Sequence, residues 1–145
     1  MASGEGCPFC QIASGQDSSA HVVAQGPEWV AFFPLEPATA GHTLVIPRQH
    51  VADLWAAPEN LAGPLMRAVM QVGRAVQAEL RPQGMNLISS AGTAAEQTVF
   101  HLHLHLVPRW EKDGFGRIWP EQGIEDDLGE LAERVRAGYA AQEVQ

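Results

Sequence analysis

Basic charge is scarce in this chain. Nine Lys and Arg stand against seventeen Asp and Glu, for a formal net charge of -8. No basic patch offsets that balance, so a nucleic-acid polymer is excluded as the expected partner. A single nucleotide remains compatible, because a local pocket can be positive within an acidic protein. Apolar runs of membrane-spanning length are missing, and no charged-then-apolar signal opens the sequence. Met1-Ala2 is not a myristoylation start either, so no membrane association is expected and the cytoplasm is the default location. Repeats, linkers and low-complexity segments are also lacking. Cysteine is limited to two residues, both within "CPFC" at 7–10. A disulfide framework normally spreads its cysteines, which leaves a redox pair or half of a metal site. A thioredoxin-like pair follows a strand in a βαβ pattern, and nothing strand-like precedes Cys7. Metal is therefore preferred, provided two more ligands exist.

At 145 residues, 46% apolar and 18% charged, the sequence reads as one globular domain over 1–145 with a self-sufficient core. Residues 7–14 make one short turn or helix. "HVVAQ" (21–25) and "EWVAFF" (28–33) read as a hairpin around Gly26-Pro27. "HTLVIP" (42–47) is a β-branched run that Pro47 ends, and "MNLISS" (85–90) is a further strand. From Leu61, apolar residues at 61, 65, 69, 72, 76 and 80 step by four and three, one face of an amphipathic helix. Pro64 suits only a first turn, which makes Asn60 the expected N-cap. Residues 91–97 read as a turn, 98–107 as a strand and 110–123 as irregular. A final helix over 124–139 is acidic at its start and basic late, as the macrodipole favours. The expected fold is α+β: a five-stranded, mainly antiparallel sheet with one long helix and a C-terminal helix.

The chemistry concentrates in "TVFHLHLHLVPRW", residues 98–110. At period two, His101, His103 and His105 share one side of a strand, while Phe100, Leu102, Leu104 and Leu106 share the other. The leucine side reads as core and the histidine side as functional, fitting either metal ligation or acid–base and nucleophilic work. His101 and His105 would stand roughly 13 Å apart at Cα, awkward for one tetrahedral ion. Two neighbouring sites sharing the strand are easier, with His101 in one and His103 and His105 in the other.

"HLHLHLV" after "QTVF", together with "GHTLVIPRQH" at 41–50 and "CPFCQIASG" at 7–15, resembles the histidine triad (HIT) family of nucleotidyl hydrolases and transferases. The resemblance covers the core, 7–109, and leaves 110–145 outside it. It implies a Zn2+ site closed by Cys7, Cys10, His50 and His101, structural because it has no open position. It also implies that His103 attacks the α-phosphorus of a nucleotide substrate. His42, Gln97, Thr98 and His105 would then hold the phosphate or assist the leaving group. A homodimer is common in the family, and the 61–80 helix is a candidate face. His21 has no such support and reads as structural or exposed. The four Trp read as packing, with Trp119 able to cover a neighbouring site.

Three positions depart from the family pattern. Pro34 stands where an Asp or Asn usually holds the ribose, Ser90-Ala91 where Asn-Asn is common, and Glu96 where a Gly precedes the glutamine. Glu96 loses easy access to positive φ and places a carboxylate beside a phosphate loop. The histidines are intact, so the expected activity is cleavage of a dinucleoside polyphosphate or nucleoside phosphoramidate. The alternatives are a nucleotide-binding module with little turnover and a metalloenzyme using the histidine face.

Overall fold

The computed structural model describes residues 4–143; the Met1-Ala2 reading lies outside the described residues. The elements run α1 (Pro8–Ala13), β1 (Val22–Gln25), β2 (Trp29–Phe32), β3 (Thr43–Pro47), α2 (Glu59–Leu80), β4 (Gly84–Ser89), β5 (Leu104–Arg109) and α3 (Leu128–Glu143). The five strands form one sheet in the order β1-β2-β3-β5-β4, and every neighbouring pair is antiparallel. The α+β class with a long and a C-terminal helix is therefore as the sequence implies. The chain divides into two compact units, one running to Phe115 and one from Gly116.

In the first unit, strand alternation sorts side chains onto two faces of the sheet. Ala31, Val45, Leu104 and Leu106 pack with Leu61, Leu65, Ala68, Val69 and Val72 of α2. Val30, Phe32, Leu44 and Ile46 pack on the opposite face with Ala13, Phe9 and Ile12 of α1. Both faces of β3 are thus covered, and all five residues of "TLVIP" are buried. On β5 the leucines point toward α2, so the intervening histidines face α1.

Two boundaries differ from expectation. Helix α2 starts at Glu59 with Pro58 as N-cap and no side-chain cap bond, so Asn60 lies inside the first turn and Pro64 in the second. An interior proline costs about 3 kcal/mol. Burying Leu61 and Leu65 on the same helix contributes roughly 1.5–3 kcal/mol each, which offsets it. Strand β5 starts at Leu104, not at 98. Its partner β3 ends in Pro47, which has no N–H to extend the ladder. Leu102 instead donates its N–H to the Val51 carbonyl at 2.7 Å. Before His101 the alternation is lost, and Phe100 is 49% exposed where the pattern placed it with the core leucines.

The second unit contains α3, which begins at Leu128 because Asp127 caps it, its Oδ1 accepting from the Glu130 N–H at 3.1 Å. Trp55 and Trp119 are 81% and 80% exposed, so neither packs as expected. Among the described residues, no helix is long and apolar enough to cross a membrane.

Candidate functional site

The histidine side of residues 101–105 meets α1, the start of β3 and the loop before it. His101 and His103 are buried, and Phe9 of α1 packs edge-on against both rings. His105 pairs with His42, which β3 brings alongside through the Thr43↔Leu106 register.

The hydrogen bonds assign the tautomers, because a carbonyl only accepts and a backbone N–H only donates. His103 Nδ1 lies 2.7 Å from the His101 carbonyl, so Nδ1 carries the proton and Nε2 is a bare lone pair. Ala38 donates its N–H to His42 Nδ1 at 2.9 Å, which puts the proton of His42 on Nε2. That Nε2–H donates to His105 Nδ1 at 2.9 Å, so the His105 proton sits on Nε2. The result is a relay from main chain through two imidazoles to an N–H donor, close beside a bare nitrogen. The His103 and His105 ring centroids are 4.8 Å apart.

Neutral rings are what this environment favours. Burial, and then the neighbouring His103, hold His42 below its ordinary value. Burial, then His103 and His42, push His105 down to about 4. Burial also lowers His103, against the opposing pull of its bond to the His101 carbonyl.

A second cluster adjoins the first. One ligand atom from each of Cys7, Cys10, His50 and His101 lies within 4.8 Å of every other. His101 Nε2–H donates to the Pro47 carbonyl at 2.8 Å, which turns its bare Nδ1 toward Cys7 Sγ at 3.5 Å and Cys10 Sγ at 3.4 Å. His50 Nδ1 is 3.2 Å from Cys10 Sγ. Tetrahedral metal–sulfur and metal–nitrogen bonds of ordinary length put sulfur and nitrogen about 3.5 Å apart. The four donors therefore fit a metal ion. Burial, then the adjacent Cys7, push the Cys10 thiol up to about 11, so without a cation this thiol resists ionising. A bound cation reverses that preference.

The remaining expected residues are placed differently. The Gln97 side chain is buried and spent on the loop: Oε1 accepts from the Gly92 N–H, and Nε2 donates to the carbonyls of Ala52 and Val99. Thr98 and His21 are exposed. Glu96 is exposed at φ 67, in the left-handed conformation a glycine would take more easily. Sequence reasoning missed Phe9, whose one signal was its position between the two cysteines.

A family model described as the HIT domain matches residues 16–112. Protein hit of Bacillus subtilis is 40% identical over 116 residues, 79% of each chain. Adenosine 5'-monophosphoramidase HNT1 of Candida albicans is 29% identical over 146 residues, 97% of this chain and 95% of its own. The crystal structure of a Zn-bound histidine triad family protein from Mycobacterium smegmatis aligns over 98% of this chain and 99% of its own, at 31% identity and a TM-score of 0.71.

The neutral pair predicts an acid instability with a definite window. Below the ordinary value of 6.5 the unfolded chain takes up protons on His42 and His105, which the folded protein refuses until about 4 at His105. Stability is therefore expected to fall as pH drops through that window, with no contribution from this pair above it. Urea midpoints across pH should show a shallower acid decline in His105→Gln than in the native protein. Identical slopes would contradict the neutral assignment.

Proposed function

The chain belongs to the HIT domain family, and on that premise we propose that it is a nucleotidyl hydrolase. The substrate class is a dinucleoside polyphosphate or a nucleoside phosphoramidate, cleaved at the α-phosphate through His103. The observation that carries the reading is the bond from His103 Nδ1–H to the His101 carbonyl, which leaves Nε2 bare. A bare, desolvated imidazole nitrogen is a nucleophile near neutral pH.

In the first displacement the Nε2 lone pair forms a bond to phosphorus, and the bond from phosphorus to the leaving oxygen or nitrogen breaks with its electron pair. The leaving group takes up a proton from solvent, and the water that attacks in the second step gives one back. The imidazole keeps its Nδ1–H and gains positive charge, which the His101 carbonyl stabilises. Water then attacks phosphorus, the nitrogen–phosphorus bond breaks, and nucleoside monophosphate leaves. His105 Nε2–H is the donor for a phosphate oxygen, held at its angle by His42, and the relay matters most where charge builds. Thr98 offers a hydroxyl at the same loop. Gln97 enters as the residue that shapes this loop, since its side chain is already engaged there. The phosphoramidase named among the relatives supports the phosphoramidate arm.

The metal in this reading is Zn2+ on Cys7, Cys10, His50 and His101. Two thiolates and two imidazoles leave no open position, so it is structural and no step runs through it. What it supplies is attachment of α1 to the sheet. The reading also includes a homodimer through the outer side of α2, where Met66 and Met70 are exposed.

Three measurements test these statements. The native protein and His103→Ala would meet a panel of dinucleoside polyphosphates and nucleoside phosphoramidates, with products and protein read by mass spectrometry. Monophosphate release, lowered by about a thousandfold or more in the variant, is expected, with a trapped adduct at residue 103. Binding without release by either protein favours the second reading, a nucleotide-binding module, to which Pro34 and Glu96 point. Purified native protein should carry one zinc per chain, and Cys10→Ser should lose it with a Tm drop of roughly 5 °C or more. A zinc-free native protein of unchanged Tm would remove the metal from the reading. Sedimentation at twice 15.7 kDa is expected for the dimer, and a monomer at micromolar concentration would exclude it.

A further inference from the structure

Helix α1 has six residues, too few to hold its shape alone. It is fastened at both ends. At its start the Cys10 N–H donates to Cys7 Sγ at 3.4 Å, and both sulfurs face His101 across the metal cluster. At its end the Arg48 guanidinium donates to the Ala13 carbonyl. The same group reaches the Gly26 carbonyl at 3.0 Å and Gln25 Oε1 at 2.9 Å, tying α1 to the β1–β2 turn.

Phe9 lies between these fastenings. Its ring makes three edge-to-face contacts, with centroids 5.4 Å from Phe32, 6.0 Å from His101 and 5.1 Å from His103. Phe32 is buried in the sheet and offers a fixed backing. Phe9 is thus a wedge between a rigid core residue and the ring of His103. That ring needs one. Its hydrogen bond at Nδ1 fixes one atom but leaves the ring able to tilt unless something packs against it. Tilting breaks the bond to the His101 carbonyl, and the proton is then free to settle on Nε2, where it blocks attack on phosphorus. The rings that meet His103 are Phe9 and, at 4.8 Å, His105, which is itself committed to His42.

We propose that Phe9 is a positioning residue for His103, and that the metal cluster influences the reaction chiefly by fixing the place of Phe9, because the segment whose carbonyl holds His103 is also anchored by the Pro47 and Val51 carbonyls. The proposal rests on the nucleotidyl-histidine reading above. A metal that touches neither substrate nor nucleophile would then set the fraction of molecules holding His103 in its reactive tautomer. Cys7 and Cys10 flank Phe9 in sequence, so displacing either sulfur displaces the ring between them.

The test compares the native holoprotein with Phe9→Leu, each checked for zinc content. Turnover of adenosine 5'-monophosphoramidate and long-range nitrogen NMR of the His103 ring are both read. Native protein should show well-separated signals for a protonated Nδ1 and a bare Nε2. In Phe9→Leu the two signals should draw together while zinc stays bound. The kcat should fall by about ten- to a hundredfold, as expected for a misplaced reacting atom, with KM changed by less than about threefold. Chelating the native protein should draw the signals together in the same way, and chelating Phe9→Leu should add little, because both changes act through one contact. Unchanged signals and kcat in Phe9→Leu would overturn the proposal, as would a rise in KM alone, which makes Phe9 a substrate contact. Additive effects of chelation and substitution would overturn the metal route. If native protein turns over no nucleotide, the enzymatic reading fails while the ring signals still decide the role of Phe9.

Discussion

Everything at this site hangs on one imidazole, that of His101, which is fully buried. Its Nε2–H satisfies the carbonyl left over where β3 ends, its bare Nδ1 faces two sulfurs, and its own carbonyl receives the proton of His103. The opposite tautomer would aim an N–H at the sulfurs and orphan the Pro47 carbonyl, at a cost of about 1–3 kcal/mol. Only one arrangement satisfies all the partners. The metal cluster and the end of the sheet therefore share a single proton assignment, and the backbone carbonyl of the same residue fixes that of the candidate nucleophile. This is the orientation that outer carbonyl contacts commonly impose on metal-binding histidines, here extended one residue pair further along the chain.

The segment carrying His101 can do this because it divides two cores. Leu102, Leu104 and Leu106 belong to the cluster built on α2, and the histidines between them face α1. A one-residue slip of β5 would exchange the two sets, burying imidazoles against valines and exposing leucines to the pocket. The alternation thus fixes register and presents chemistry at once. Rigid backing on the leucine side is what lets contacts of 2.7–2.9 Å on the histidine side decide protonation.

Much of this is legible in the sequence. Period-two alternation separates His101, His103 and His105 from the leucines, and it survives at 101–103 even though the ladder begins only at Leu104. The steps of four and three from Leu61 mark the buried face of α2, because helical packing is local and periodic. What stayed hidden depends on contacts between distant segments. The sequence puts Gln97 beside the phosphate loop, yet its three hydrogen bonds include one to Ala52, which no spacing announces. Asn60 looks like a cap until the burial of Leu61 and Leu65 draws the helix past it. Phe9 sits in plain view between two cysteines, and nothing local says that its ring reaches His103. The left-handed Glu96 reverses the pattern: its conformation follows from where glycine stands in the family, and the side chain tolerates it at some strain.

The metal cluster also has a chronology. Cys7 and Cys10 leave the ribosome more than ninety residues before His101, the separations to it being 94 and 91. At about 5–20 residues per second, that interval is roughly 5–18 s, during which the two thiols have no complete set of fellow donors. His50 arrives midway, but the fourth donor comes only with the segment that also carries the candidate nucleophile. The N-terminal arm is therefore made first and fastened last. Its closure can occur only on a chain whose histidine segment has already been synthesised.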